Sequence, residues 1–440
     1  MSSLNQRIRH WLETCSPLAF SVYAIGTAFS VYLCMYGFRK PFEAPTYAGL
    51  SLWGLDYKIL LVITQVLGYM LSKFSGIKVV SEMTPTRRVW AILILIGLSE
   101  LALLAFGLVP YPYNFLPMFF HGLPLGLIWG IVFSFLEGRK LTEMLGAGLC
   151  ASFIVGSGVV KSVGLWLIRV QGVDPFWMPF LTGLIFFLPL LVSLWLLSLL
   201  PPPNAADVAQ RTERVPMNRA QRWAFFRRLA LGLILLVAIF VALTAYRDLR
   251  DKFATELWDA LGYGGVPSQM AKSETLIGVA VTGLIGLAIF IKSNLRAFGA
   301  SLGVLVLSGL MVGGLTYLFQ QEKLAPEWWM IIVGFWMYLS YVAYHVLIFE
   351  RLITVFRIKS NIGFLMYLAD AFGYSGSVAV LLYRNFGAAD LSWLNFFIQM
   401  SYLMAAVMVG LGLWAMGYFF GQVRRLPALE SPQGVSPGKG

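Results

Sequence analysis

The chain has 440 residues, of which 58% are hydrophobic and only 12% charged, and its mean hydropathy is +0.75. A soluble globular domain carries about 25% charged residues, so this composition excludes a water-soluble protein and predicts an integral membrane protein. Apolar runs of about 20 residues recur along the chain, whereas the short alternating segments of a β-barrel are absent. The net charge of +12 comes from basic residues scattered through short loops, which argues against a nucleic-acid partner.

Twelve apolar runs predict twelve transmembrane helices in two halves. The runs are 17–38, 54–72, 89–109, 113–135, 143–168 and 176–199, then 228–246, 274–291, 298–318, 327–349, 362–384 and 391–420. Prolines 201–203 end the sixth run, because proline cannot continue the hydrogen-bond ladder of a helix. The predicted organisation is therefore a cytoplasmic N-terminus (1–16), a six-helix bundle (17–199), a cytoplasmic linker (200–227), a second six-helix bundle (228–420) and a cytoplasmic tail (421–440).

The distribution of basic residues predicts how the chain is oriented. Placing the N-terminus in the cytoplasm puts 22 of the 33 Lys and Arg residues on that side, in agreement with the positive-inside rule. An even number of spans then places both termini inside. The first apolar run is too long for the core of a signal peptide, so we expect it to be retained. These features predict a multi-pass protein of a cell (inner) membrane.

Six spans, a basic linker and six further spans resemble the major facilitator superfamily, and local features extend the resemblance along the chain. They are the glycine-rich segment after the second span (Gly68–Gly76), the charged segments after the fourth and tenth spans (Glu137–Lys140, Glu350–Arg351) and the glycine-rich fifth and eleventh spans (Val155–Gly158, Gly373–Gly376). The resemblance implies an all-α membrane fold of twelve helices in two pseudo-symmetric six-helix bundles. It also implies a secondary transporter that works by alternating access.

Two arginine-bearing motifs close the first apolar run of each half. They are Phe38-Arg39-Lys40 and Tyr246-Arg247, and the two arginines are 208 residues apart. A cation repeated at matching places predicts a site on the pseudo-two-fold axis, where such transporters bind their substrates. The motifs resemble the organophosphate:phosphate antiporter branch, in which the corresponding arginines bind a phosphoryl group. The resemblance implies that Arg39 and Arg247 bind a small anionic solute, phosphorylated or carboxylated.

The depth of Arg39 leaves two interpretations open. Arg39 lies about 33 Å along a helix that starts at Pro17, and Pro41 follows it, which favours a pair of cations, Arg39 and Lys40, that extend to the outer headgroups. The repeat in the second half favours an anion clamp, in which the planar guanidinium and the lysine charge both bind solute.

Arg247 is followed closely by further charges of both signs. Arg247 with Asp251, and Asp248 with Lys252, have the spacing of i,i+4 ion pairs on one helix. One interpretation is a self-neutralised ladder at the outer edge of the membrane. The other is that Arg247 faces the solute, and the density of charge after an apolar run favours this second interpretation.

Other polar residues inside spans complete the predicted site. We expect Lys161, Tyr36 and Tyr246 to contribute to solute binding. An intramembrane lysine needs water or a partner, and amphipathic tyrosines inside spans often line a polar cavity. Asp370 in the eleventh span is either a buried partner for a basic residue or a group that couples protons to transport. Glu100 in the third span is either a proton site or a neutral packing residue.

The remaining motifs argue against catalysis and metal binding. His121 and His345 are isolated in apolar spans without ligands at metal-binding spacing, and the three cysteines show no paired spacing. The sequence contains no nucleophile elbow, no His–Glu metal motif and no phosphate-binding loop. We therefore expect no enzyme activity, no metal and no cofactor; the expected partners are a small solute, the lipid bilayer, and H⁺ or a counter-transported anion. The alternative function is a membrane sensor with a transporter fold, which binds a solute without flux.

Overall fold

The computed structural model describes residues 3–81, 83–136, 142–202, 219–288, 291–356 and 362–425. Most of the predicted linker, the charged segment Glu137–Lys140, the basic residues Arg357 and Lys359, and the end of the tail lie outside the described residues.

The described chain is almost entirely helical. The helices of the first half are α1 (Ser3–Thr14), α2 (Pro17–Arg39), α3 (Tyr57–Ser81), α4 (Pro85–Leu108), α5 (Leu116–Phe133), α6 (Thr142–Arg169) and α7 (Met178–Ser198). Those of the second half are α8 (Arg219–Lys252), α9 (Ala254–Ala260), α10 (Gln269–Ala288), α11 (Asn294–Gln320), α12 (Pro326–Ala343), a π-helical turn (Tyr344–Ile348), α13 (Phe349–Val355), α14 (Ile362–Phe386) and α15 (Trp393–Arg424).

Ten segments of the described chain are long and apolar enough to cross a membrane. Two further helices of 25 residues, α3 and α14, occupy the positions of the second and eleventh predicted spans. The predicted spans and the observed helices agree in order, although α3 extends beyond the predicted end of the second span at residue 72 and α8 begins at Arg219, inside the predicted linker 200–227. The prediction of an all-α membrane fold built from two six-helix bundles is confirmed.

The two halves repeat one packing scheme. In the first half α2 packs against α6 and α7, and α3 packs against α5. The equivalent helices of the second half form the same contacts, since α8 packs against α14 and α15, and α10 packs against α12. The two halves meet where α6 packs against α10 and where α3 packs against α14. The arginine-bearing helices α2 and α8 therefore occupy equivalent places beside this interface.

Glycines permit the close approach of α6 and α10. A Cβ atom on Gly158 would lie 2.5 Å from the Met270 carbonyl oxygen, and one on Gly278 would lie 2.7 Å from Val155 Cγ2. Small residues at such crossings let the backbones of membrane helices pack directly against each other. The glycine-rich stretch of the fifth span therefore lies at the contact between the two halves.

Helix α3 runs through the segment that resembles a loop in the sequence. Gly68–Gly76 is helical throughout, and α3 ends only at Ser81, before Pro85 begins α4. Gly68 is used for packing: its Cβ would lie 2.1 Å from the Phe119 carbonyl oxygen, and a Cβ on Gly122 of α5 would lie 2.1 Å from the Gln65 carbonyl oxygen. The contact between α3 and α5 therefore depends on a glycine from each helix.

The segment Lys40–Asp56 leads from the end of α2 to the beginning of α3 at one end of the bundle, which we call the outer end after the predicted orientation. A hairpin joins the two helices there, with strands β1 (Ser51–Leu52) and β2 (Leu55–Asp56). Its turn residues Trp53 and Gly54 have φ of 55° and 74°, as a two-residue hairpin turn requires. Asn385 of α14 accepts from the Asp56 amide at 2.9 Å and donates to the Gly54 carbonyl at 2.8 Å, so the hairpin contacts the second half.

Candidate functional site

Arg39 is the last residue of α2, and its side chain faces tyrosines rather than carboxylates. Its guanidinium carbon lies 4.3 Å from the ring centre of Tyr69 and 5.6 Å from that of Tyr36. Among the residues that the structure describes, the guanidinium forms no ion pair, and its buried Nε has no hydrogen-bond partner. An uncompensated cation is costly in such surroundings, and a bound anion would remove that cost.

The end of α2 is held inside the bundle. Pro41 prevents the helix from continuing, and the exposed carbonyl groups of the last turn need other donors. Gln65 Nε2 donates to the Arg39 carbonyl at 3.1 Å, and His121 Nε2 lies 2.7 Å from the Phe38 carbonyl. His121 is fully buried and is therefore a hydrogen-bonded residue of the core.

The tyrosines around Arg39 give its depth in the bundle. Tyr69 lies twelve residues from the outer end of α3, about 18 Å at 1.5 Å per residue. Tyr374, whose ring centre is 5.3 Å from that of Tyr69, lies twelve residues from the outer end of α14. The guanidinium is therefore level with the middle of these helices. This depth favours the anion clamp over cations at the outer headgroups, and the role of Arg39 in solute binding stays a prediction.

Arg247 lies at the matching place on α8 but has a different partner from the one that its spacing predicts. It contacts Asp248, the next residue, at 2.5 Å, and its guanidinium carbon lies 4.2 Å from the ring centre of Tyr341. Asp248 also accepts from Lys252 at 2.7 Å, as the i,i+4 spacing predicts. The predicted pair of Arg247 with Asp251 is absent among the described contacts, because Asp251 turns towards the first half.

Four charges join the two halves towards the outer end; we call the buried Lys40, Glu43 and Lys161 and the partly buried Asp251 the outer cluster. Lys40 Nζ lies 2.7 Å from an Asp251 oxygen and 2.9 Å from a Glu43 oxygen. Lys161 Nζ lies 2.9 Å from Asp251 and 3.2 Å from Glu43. Ser157 donates a further hydrogen bond to Asp251. Lys40 and Lys161, both predicted to bind solute, therefore have two carboxylates each in this conformation.

Further contacts between the halves surround the outer cluster. Lys58 of α3 lies 2.6 Å from Glu256 of α9, and the Thr255 hydroxyl donates to the Ala44 carbonyl at 2.8 Å. Nearer the surface, Arg169 pairs with Asp259 at 3.0 Å. Burial raises the pKa of Glu256, which lies on a short helix outside the spans, although Lys58 acts in the opposite direction. These contacts close the outer end between the halves.

The formal charges of this region do not cancel. Apart from the balanced pairs Lys58–Glu256 and Arg169–Asp259, the described side chains around Arg39, Arg247 and the outer cluster include six cations and four anions: Arg39, Lys40, Lys161, Arg247, Arg250 and Lys252 against Glu43, Asp248, Asp251 and Glu274. Arg250 and Glu274 pair with each other at 2.7 Å, and the outer cluster is balanced. The excess positive charge therefore belongs to Arg39 and to the group around Asp248.

The two predicted solute-binding tyrosines lie in different surroundings. Tyr36 lies beside Arg39, and its hydroxyl is within electrostatic reach of Arg247 as well. Tyr246 is fully buried inside the second half, where its hydroxyl is 2.7 Å from the Ser401 hydroxyl and its ring stacks on Phe397. The structure brings Tyr36 to Arg39 and places Tyr246 in the packing between α8 and α15.

Asp370 of α14 has basic groups from both halves as neighbours. Lys73 of α3 lies 3.5 Å from one carboxylate oxygen, and His345 Nε2 lies 3.9 Å from the other. His345 sits in the π-helical turn, with Nδ1 2.9 Å from the Tyr341 carbonyl. The interpretation of Asp370 as a partner for a basic residue agrees with this contact, and its coupling role stays a prediction.

Glu100 of α4 lies within the first half, away from the interface. A Cβ atom on Gly183 of α7 would lie 2.2 Å from a Glu100 carboxyl oxygen. Both carboxyl oxygens are buried without hydrogen-bond partners among the described residues. These surroundings favour the neutral packing residue over the proton site. In the described part of the chain, no group of three or more His, Cys, Asp or Glu could hold a metal ion.

Several residues of the site are not apparent from the sequence. Asp248 and Asp251 have the spacing of self-neutralising pairs, which conceals the contact of Asp251 with the other half. Tyr69 and Tyr374 lie in apolar runs of ordinary composition. Their one sequence signal is their equivalent position, twelve residues from the outer ends of the second and eleventh spans.

The arrangement of the helices is the major facilitator fold, as comparison with solved structures shows. A bacterial homologue of the human drug peptide transporters PepT1 and PepT2 has a TM-score of 0.62 at 13% identity over 92% of this chain and 99% of its own. A D-xylose-proton symporter has a TM-score of 0.59 at 14% identity over 90% and 97%. The nucleoside transporter NupG has a TM-score of 0.58 at 13% identity over 91% and 98%.

The sequence itself belongs to a family of unknown function, DUF5690, whose model matches residues 41–422. No curated protein matches the chain in sequence. At these low identities the structural likenesses establish the fold alone, so the solute must be inferred from the residues between the two halves.

Proposed function

We propose that the protein is a secondary transporter that moves a small anionic solute, phosphorylated or carboxylated, across a cell (inner) membrane by alternating access. The proteins similar in structure are named as a sugar–proton symporter, a nucleoside transporter and a homologue of peptide transporters. Their shared fold supports transport as the general activity. Both termini lie in the cytoplasm in this proposal, and H⁺ or a counter-transported anion drives the movement.

The unpaired guanidinium of Arg39, whose Nε is buried without a hydrogen-bond partner among the described residues, carries the proposal for an anion. Arg39 and Arg247 come from equivalent helices of the two halves, and Tyr374 lies within electrostatic reach of both. An anion bound between them would neutralise charge that the described residues leave uncompensated. A guanidinium suits a carboxylate or a phosphate because its N–H groups match two oxygens at once.

The contacts at the outer end support alternating access. In this conformation the outer cluster and its neighbouring pairs connect the halves by ions and hydrogen bonds, which can separate without disturbing either hydrophobic core. An anion that binds at Arg39 and Arg247 changes the electrostatic balance beside these pairs. Rocking of one six-helix half against the other would then expose the same site to either side of the membrane.

Uptake into proteoliposomes tests this function. We expect uptake of a labelled phosphate monoester or a simple carboxylate, but not of a neutral sugar. Arg39→Ala should reduce uptake at least about tenfold, a loss equivalent to 1.4 kcal/mol, and Arg39→Lys should lie between this variant and the wild type. Arg169→Ala is the matched control, since its exposed pair with Asp259 should contribute about 1 kcal/mol or less.

Two outcomes would contradict the proposal. Uptake that is unchanged in Arg39→Ala would show that the arginine does not bind the solute. Binding of the anion without any flux would overturn transport and favour the alternative, a membrane sensor with a transporter fold.

A further inference from the structure

The two arginines between the halves are neutralised to different extents. Arg39 forms no ion pair among the described residues, whereas Arg247 contacts the carboxylate of Asp248. Each guanidinium lies against an aromatic ring, Arg39 on Tyr69 and Arg247 on Tyr341. The two sites are alike in this respect, so the presence of Asp248 is what distinguishes them.

The contact between Arg247 and Asp248 does not have the most favourable geometry for a guanidinium and a carboxylate. Arg247 donates from Nε at 3.2 Å and from Nη2 at 2.5 Å, both to the single oxygen Oδ1. A guanidinium binds most favourably when two parallel N–H groups donate to two different oxygens. Consecutive residues of a helix also point in different directions and do not normally pair. A free anion that presents two oxygens therefore fits Arg247 better than Asp248 does.

Asp248 keeps its other partners if Arg247 leaves. Its second oxygen, Oδ2, accepts from Lys252 Nζ at 2.7 Å and from the Ser377 hydroxyl at 2.7 Å. Lys252 alone balances its charge. Breaking a buried ion pair is usually costly because it leaves one buried charge without a partner. Release of Arg247 avoids this cost, because the Asp248 carboxylate remains paired with Lys252.

We propose that Asp248 is an internal substitute for the anionic group of the solute. In the empty protein it neutralises Arg247, and when the solute arrives it releases Arg247 and remains paired with Lys252 and Ser377. The inference rests on the proposed function, because it assigns an order to binding at the same site. The solute meets the unpaired Arg39 first and then displaces Asp248 from Arg247, so Asp248 lowers the affinity of the site.

Phosphate binding to the purified full-length protein tests this role, with inorganic phosphate as the probe in a phosphate-free detergent. Asp248→Asn removes the competing charge and preserves the shape of the side chain. We expect its Kd for phosphate to fall about tenfold, as expected when one charge-assisted contact no longer competes. Adding Arg247→Ala to this variant should abolish the gain. Asp248→Asn/Lys252→Met, which removes one charge of each sign, serves as the second variant if the first does not fold.

Glu274→Gln is the matched control. It removes the carboxylate from another buried arginine pair, that of Arg250, which has no second role in the proposed exchange. Its phosphate affinity should equal that of the wild type. Failure of both Asp248 variants to bind phosphate more tightly, or an equal gain in Glu274→Gln, would overturn the role of Asp248.

The phosphate-binding test of Asp248 and the uptake test of transport can fail independently of each other. Loss of uptake in Arg39→Ala together with unchanged phosphate affinity in the Asp248 variants would reject the substitute role and retain the transporter. Tighter phosphate binding in Asp248→Asn together with no flux in the wild type would retain the substitute role and reject transport.

Discussion

The Asp251 carboxylate at the end of α8 lies 2.7 Å from the Lys40 ammonium at the end of α2, so an ion pair directly joins the two arginine-bearing helices. The same carboxylate lies 2.9 Å from Lys161 of α6. Asp251 is thus the one residue of the outer cluster that comes from the second half, and both lysines of the first half bind it. The closure of the outer end depends on this carboxylate more than on any other member of the cluster.

Removing the charge of Asp251 should open the outer end. We expect Asp251→Asn to increase the reaction of a cysteine placed at Thr255, which is buried and bonded to the first half, with a membrane-impermeant maleimide. The measurement uses intact cells and a background that lacks the native cysteines. Asp259→Asn, which removes an exposed pair, is the control and should leave labelling unchanged. Equal labelling of wild type and Asp251→Asn would refute the importance of this contact.

Lys161 should be essential to stability because two carboxylates share it. Its side chain is 1% exposed, and Lys161→Met leaves Glu43 and Asp251 with Lys40 as their remaining cation. Breaking a buried ion pair from one side typically costs about 3–5 kcal/mol, so we expect a large fall in the melting temperature of the detergent-solubilised protein. Adding Asp251→Asn should restore part of the loss. A double variant as unstable as the sum of both changes would contradict the pairing.

The glycine contact between α3 and α5 predicts a specific packing defect. Gly122→Ala places a Cβ 2.1 Å from the Gln65 carbonyl oxygen, so the helices must separate, at a cost of about 1–3 kcal/mol. Gly97→Ala on α4 is the control, since nothing lies within 4 Å of its Cβ. We expect thermal melting to show a loss for Gly122→Ala and no loss for Gly97→Ala. Because Gln65 holds the end of α2, Gly122→Ala should also weaken anion binding.

Asp370 and Glu100 should differ in their effects on coupling. Asp370 contacts Lys73 of the other half and faces His345, whereas the Glu100 carboxyl has no hydrogen-bond partner among the described residues. We expect Asp370→Asn to bind solute but to lose the dependence of uptake on an imposed proton gradient. Glu100→Gln should keep both activities. Proton-driven uptake that survives in Asp370→Asn and fails in Glu100→Gln would reverse the assignment.

Local signals explain which parts of the fold are predictable. The spans follow from apolar length, and α2 begins at Ser16 and Pro17, which cap its first turn, and ends before Pro41. The end of α3 is not predictable in this way, because no proline or strong helix breaker separates Gly68–Gly76 from the helix before it. The repeat of Arg39 and Arg247 is visible in the sequence because each closes the first apolar run of its half.

The sequence by itself determined the membrane class, the two six-helix halves and the pair of arginines, because the bilayer imposes length and hydrophobicity on every span separately. Only the tertiary structure decided that the Arg39 guanidinium lies against Tyr69, which is about 18 Å from the outer end of α3, that Asp251 binds the other half, and that Asp248 neutralises Arg247. These outcomes depend on helix packing between residues far apart in the chain. A spacing of four residues permits an ion pair, but the nearest opposite charge in space decides which pair forms.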